Sequence, residues 1–199
     1  MEKPQNVEQA LDALKKGNER FVSLSLANID YDKQRTSTKD GQHPFVAFLS
    51  CMDSRVPPEI IFDLGIGSSF VIREAGYVVS PNSLGGLEYA VNVKKVTLVV
   101  VLGHSNCGAI ASAVDNADLS AYKNLEQLIN QIKPAVPKES CDDIYQCTEK
   151  NTIKLSISKI LSKSPAIAEA VKNNEVKLIG AYYDLATGVV TFDDKFSDH

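Results

Sequence analysis

The stretch VTLVVVLG, residues 96–103, constrains this 199-residue chain more than any other. It is apolar at nearly every position, rich in β-branched residues, and ends in Gly103. A strand without polar alternation must be covered on both faces, which is the situation of an inner strand in a parallel sheet. FVAFLS, from Phe45, is a second run of the same kind, and SFVIREAG, from Ser69, reads as a further strand. Helical signals alternate with these runs. PPEIIFD starts a helix on an early proline. Ser80 and Pro81 form an N-cap and first turn ahead of NSLGGLEYAVNV. CGAIASAV opens another helix, and helical periodicity covers about 122–133 and about 150–172. VKLIGAYYD and VVTFDD, joined by LATG, read as a closing hairpin. Val7, Leu11, Leu14, Phe21 and Val22 recur at helical spacing, predicting an amphipathic N-terminal arm over about 5–25. Residues 28–43 are polar and read as irregular. The expectation is a single α/β domain over 1–199, with a central, mainly parallel sheet flanked by helices.

Composition narrows the function classes. The net charge is -4 and no basic run exists, which argues against a nucleic-acid partner. No segment approaches the roughly 18 uncharged apolar residues of a membrane span. The N-terminus lacks the apolar core of a signal peptide, so the expected compartment is the cytoplasm, or the periplasm if a leader has been removed. Of the four cysteines, Cys141 and Cys147 fall in the polar stretch KESCDDIYQC. They read as surface thiols in a reducing compartment and as a disulfide only in an exported protein.

Cys51 and Cys107 have sharper surroundings. Cys51 ends the FVAFLS run and opens C-M-D-S-R, which sets Cys51, Asp53 and Arg55 at alternate positions. His104 ends VTLVVVLG, and Cys107 follows three residues on, at the start of a helix. In parallel α/β sheets ligands gather beyond the carboxyl ends of strands, so both stretches are expected at one sheet edge. Two thiolates and one imidazole suit zinc, and three protein ligands leave a fourth tetrahedral position open, as in catalytic sites. Asp53 either fills that position or stands beside it. A guanidinium fork from Arg55 would withhold the carboxylate from the metal and leave it to orient a zinc-bound hydroxide. Singly, each of these residues is more often structural; together they are a site. GHSNC, residues 103–107, approaches the G-x-S-x-G nucleophile elbow that would make Ser105 catalytic. Its fifth residue is Cys107, however, and the only later histidine is His199.

With these motifs the sequence resembles the β-class carbonic anhydrases, zinc lyases that interconvert carbon dioxide and bicarbonate. C-x-D-S-R at Cys51–Arg55 and H-x-x-C at His104–Cys107 carry the resemblance, which runs from the N-terminal helix and its GNERF ending to VKLIGAYYD. It implies one zinc per chain on Cys51, His104 and Cys107, with Asp53 and Arg55 as the orienting catalytic pair. It also implies a substrate pocket of Gln42, Phe70, Tyr89 and Gly108. Gln42, Phe70 and Tyr89 would come from a neighbouring subunit, in a homodimer or tetramer whose N-terminal helix packs on its partner. Two thiolates make zinc a weaker acid than three imidazoles do, so activity should rise above neutral pH. Two departures stand out. Glu74 replaces the asparagine many members carry after the arginine matching Arg73. Phe48 replaces the tryptophan with which one branch binds inhibitory bicarbonate, so no such allosteric site is expected and Asp53 should stay off the metal. His43 and His199 are the only histidines left over for proton transfer, and His43 reads as a loop residue. The alternatives are a carbon disulfide hydrolase-like enzyme on the same fold and a zinc-binding protein without turnover.

Overall fold

The structure is a computed structural model that describes residues 4–193 and Phe196. The chain begins with α1 (Val7–Val22) and α2 (Tyr31–Thr38). It then alternates β1 (Val46–Ser50), α3 (Pro58–Ile61), β2 (Ser69–Arg73), α4 (Pro81–Glu88), β3 (Leu98–His104), α5 (Gly108–Val114) and α6 (Lys123–Asn130). α7 (Ile144–Lys163), α8 (Pro165–Lys172), β4 (Lys177–Tyr183) and β5 (Val190–Phe192) complete it.

The sheet order is β2-β1-β3-β4-β5, parallel throughout except for the antiparallel β4–β5 hairpin. β1 and β3 are buried at every position, as their unbroken apolar sequences require. Successive side chains of a strand point to opposite faces, so each run feeds two cores. Ala47, Leu49, Val99 and Val101 join the core under α4, α5, α7 and α8. Val46, Phe48, Leu98, Val100 and Leu102 join the core beneath α1 and α3, where Phe48 stacks on Phe62 at 5.2 Å between ring centroids. α1 therefore covers its own sheet: Ala10 and Leu14 are fully buried. At Gly17 it meets the chain so closely that a Cβ would lie 2.0 Å from the carbonyl oxygen of Phe62.

Two local expectations need correction. The polar stretch 28–43 contains α2, because Asp30 caps it by accepting from the Lys33 amide and Thr36 and Thr38 turn their hydroxyls back onto helix carbonyls. The helix expected over about 150–172 begins at Ile144, capped by Asp143, and breaks between Ser164 and Pro165. Of the two states left open for Cys141 and Cys147, the structure has the disulfide. The Ser80–Pro81 start of α4 is as expected, with a reciprocal Ser80–Ser83 capping box. No helix among the described residues is long and apolar enough to cross a membrane.

Candidate metal centre

The chain runs from β1 outward to β2, then returns across β1 to lay down β3 on its other side. Strand order thus reverses between β1 and β3, and the crevice beyond their carboxyl ends is where such sheets accept ligands. Cys51 follows the last residue of β1, His104 is the last residue of β3, and Cys107 is the N-cap of α5. Asn106, in the left-handed region at φ 54°, turns the chain between His104 and Cys107. All three side chains are buried, and their ligand atoms lie within 4.8 Å of one another.

This donor set fits a metal. The two sulfurs are 3.9 Å apart. Two Zn–S bonds of about 2.3 Å at a tetrahedral angle demand about 3.8 Å. His104 Nδ1 donates to the Ser105 carbonyl at 2.9 Å, which fixes the tautomer and leaves the Nε2 lone pair facing inward. That Nε2 is buried and has no hydrogen-bond partner, the state expected of a ligand atom. The two sulfurs are close enough to share a hydrogen bond. The hydrogen bond from the Cys107 thiol lowers Cys51, and the same bond, with burial, raises Cys107. Burial opposes charge on His104, but the Cys51 sulfur and the Ser105 carbonyl outweigh it and raise the imidazole. A divalent ion held here would take the place of that thiol proton.

Asp53 and Arg55 form the expected fork. Asp53 Oδ1 accepts from the Arg55 amide and Nε, both at 2.9 Å, and Oδ2 accepts from Nη2 at 2.7 Å. The Arg55 hydrogen bonds hold the Asp53 carboxyl at about 2 against partial burial. Arg55 Nη2 also donates to the Asn106 carbonyl at 3.2 Å, tying the two motifs together. Asp53 lies outside the Cys51–His104–Cys107 group.

The pocket residues are placed differently. Phe70 pairs with Ala47 in the β1–β2 register, four residues before Cys51. At about 3.3 Å per residue that is roughly 13 Å back along the sheet from the sulfurs. Its ring meets Tyr89 edge-on at 6.0 Å, and Gln42 is exposed on the loop ahead of β1. Gly108 does adjoin the ligands, and a Cβ there would meet nothing within 4 Å. Ser105 has a structural task, since its Oγ accepts the Leu185 amide at 2.8 Å. Glu74 accepts from the Ser80 hydroxyl at 2.7 Å, bracing the start of α4. His43 is exposed in its loop, and His199 lies outside the described residues.

Several residues touching the site were given no role in the sequence reading. Arg73, at the end of β2, donates through Nε to the Cys51 carbonyl at 2.9 Å and through Nη2 to the Asp53 carbonyl. The Gly76 amide donates to Cys51 Sγ at 3.4 Å, and Gly76 has φ 62°. A side chain there would also collide with Ile132. Glu149 of α7 is buried, accepting from the Cys107 amide at 3.2 Å and from the Tyr182 hydroxyl at 2.6 Å. Burial raises its carboxyl against the pull of Tyr182. A lone acid just ahead of the helix expected from about 150 carries no sequence signal; only the arginine ending a strand and the glycine three residues on could have prompted a search.

Residues 46–190 match the family model described as carbonic anhydrase. "Carbonic anhydrase 2" of Mycobacterium tuberculosis is 34% identical, the match covering 93% of this chain and 92% of that protein. "Beta carbonic anhydrase 3" of Arabidopsis thaliana is 32% identical over 92% of this chain and 77% of its own length. Among solved structures, a tetrameric β-carbonic anhydrase from Sordaria macrospora superposes with a TM-score of 0.69 at 24% identity, covering 94% of this chain and 97% of that one. The chain belongs to the carbonic anhydrase family, in its β class, and is an enzyme of that family.

Proposed function

We propose that this protein catalyses the reversible hydration of carbon dioxide to bicarbonate and a proton, with one zinc per chain held by Cys51, His104 and Cys107. The observation that carries the reading is the buried sulfur–imidazole–sulfur triangle with an Asp53–Arg55 fork beside it. Zinc, when bound through three protein ligands, supplies a Lewis acid that brings the pKa of water to about 7.

The chain's own residues supply the aim. Asp53 is fully ionised at any working pH, so it can only accept hydrogen bonds. Its Oδ2 takes one bond from Arg55, which leaves a lone pair for the O–H of the attacking water. Fixing that O–H turns the water's own lone pair toward the substrate carbon. Arg55, anchored on Asn106, keeps Asp53 from swinging onto the metal. Gly108 leaves open space beside Cys107 for a small linear substrate. Phe70 and Tyr89 would form the apolar wall and Gln42 would donate to a substrate oxygen. The distance of Phe70 along the sheet from the sulfurs, with Tyr89 packed edge-on against its ring, supports their contribution from a neighbouring subunit, in a homodimer or tetramer. The Sordaria relatives are tetramers.

The test is stopped-flow carbon dioxide hydration on a sample whose zinc content is measured, with carbon disulfide assayed in parallel. Fast hydration at about one zinc per chain, abolished by chelation and restored by zinc, is expected. Full zinc with no hydration, or turnover of carbon disulfide instead, would overturn the reading.

A further inference from the structure

We infer that Glu149 is a positioning residue that sets the spacing of the two sulfur ligands, an inference that rests on the zinc reading above. Glu149 sits one and a half turns into α7 and is 3% exposed. A buried carboxylate is costly, and an apolar side chain of similar size would serve packing as well or better. Its presence is explained by what it holds. One carboxylate oxygen accepts the backbone N–H of Cys107 at 3.2 Å, and the other accepts the Tyr182 hydroxyl of β4 at 2.6 Å. Tyr182 fixes the carboxylate, and the carboxylate fixes the amide immediately after the left-handed Asn106.

The same residue reaches the other sulfur through its backbone. The Glu149 carbonyl accepts the Tyr77 hydroxyl at 2.8 Å. Tyr77 follows Gly76, whose amide donates to Cys51 Sγ, and its ring lies edge-on to His104 at 6.5 Å between centroids. One turn of α7 therefore grips the Cys107 turn by side chain and the turn that supports Cys51 by main chain. The 3.9 Å sulfur separation is held between these two grips. Outer hydrogen bonds of this kind typically change metal affinity 10- to 100-fold when removed.

The experiment compares Glu149→Leu, which removes the acceptors, with Glu149→Gln, which keeps an acceptor for the Cys107 amide and offers Tyr182 an N–H. Two readouts do not depend on activity: the rate of zinc transfer to 4-(2-pyridylazo)resorcinol, and the absorption spectrum of cobalt(II)-substituted protein. For Glu149→Leu, zinc should leave about 10- to 100-fold faster and the cobalt d–d and thiolate charge-transfer bands should shift. Glu149→Gln should stay within about threefold of the parent and keep its bands. Parent-like zinc release and bands in Glu149→Leu, whatever its melting temperature, would overturn the inference, as would equal damage in the glutamine variant. If the leucine variant does not fold, Tyr182→Phe, which frees one end of the carboxylate, should still release zinc faster; unchanged release would overturn the inference. Parent protein that takes up neither zinc nor cobalt through sulfur would instead overturn the metal reading itself.

Discussion

The two halves of the candidate site are built in opposite ways. At the carboxyl ends of β1 and β3, the cysteines and histidine proposed as zinc ligands are buried and braced by Arg55, Arg73, Gly76 and Glu149 of the same chain. On the β2–α4 flank, Phe70 and Tyr89 touch each other but stand away from the ligands, and Tyr89 and Val93 are 45% and 61% exposed. A metal centre needs fixed distances, which one chain's hydrogen-bond lattice supplies best. A pocket for a small apolar substrate needs walls, and a second subunit can provide them.

If the halves divide labour in this way, damage to the braced half should be the more severe. Cys107→Ser should remove nearly all bound zinc and all hydration, read by metal analysis of the purified protein; retained zinc would break the distinction. Asp53→Ala should keep zinc while hydration falls by about 10²-fold, the cost of a misaimed nucleophile, measured by stopped flow. Equal loss of zinc would move Asp53 from aim to architecture. Tyr89→Ala should lower kcat/KM about tenfold with zinc intact, a loss of about 1.4 kcal/mol in transition-state stabilisation. Chains carrying Asp53→Ala and chains carrying Tyr89→Ala, mixed after gentle unfolding, should regain activity above either parent if the walls come from a partner. No gain would place both halves in one chain. The smallest effect on hydration is expected at the disulfide. Opening the Cys141–Cys147 disulfide with Cys147→Ser should cost about 2 kcal/mol of stability by denaturant unfolding, from the short loop it closes, with hydration unchanged.

The braced half was also the more legible in sequence. Cys51, His104 and Cys107 each terminate or follow an unmistakable apolar run, so reading the strands placed the ligands at one sheet edge. Asp53 and Arg55 came with them because they follow Cys51 directly, and the turn after β1, in which the Arg55 amide donates to Asp53 Oδ1, folds the pair together. What the runs could not reveal was contact across the fold. Arg73 reaches Cys51 only because β2 lies beside β1, and Glu149 reaches Cys107 only because α7 crosses behind β3 and β4. Its helix begins at Ile144, where Asp143 capping wins over a stretch of charge and low apolar content. α2 was missed for the same reason: its hydrogen bonds are local and polar, and it buries no residue. Phe70 and Tyr89 were named by resemblance, and their sequence neighbourhood says nothing about which subunit they face.

The most direct test of the central claim is zinc X-ray absorption spectroscopy on the purified protein near neutral pH. The account predicts two sulfur neighbours at about 2.3 Å and one imidazole nitrogen at about 2.0 Å. The remaining position should hold a light atom that persists unchanged in Asp53→Asn. A shell with no sulfur, with three or more sulfurs, or with a carboxylate oxygen that disappears in Asp53→Asn would contradict it.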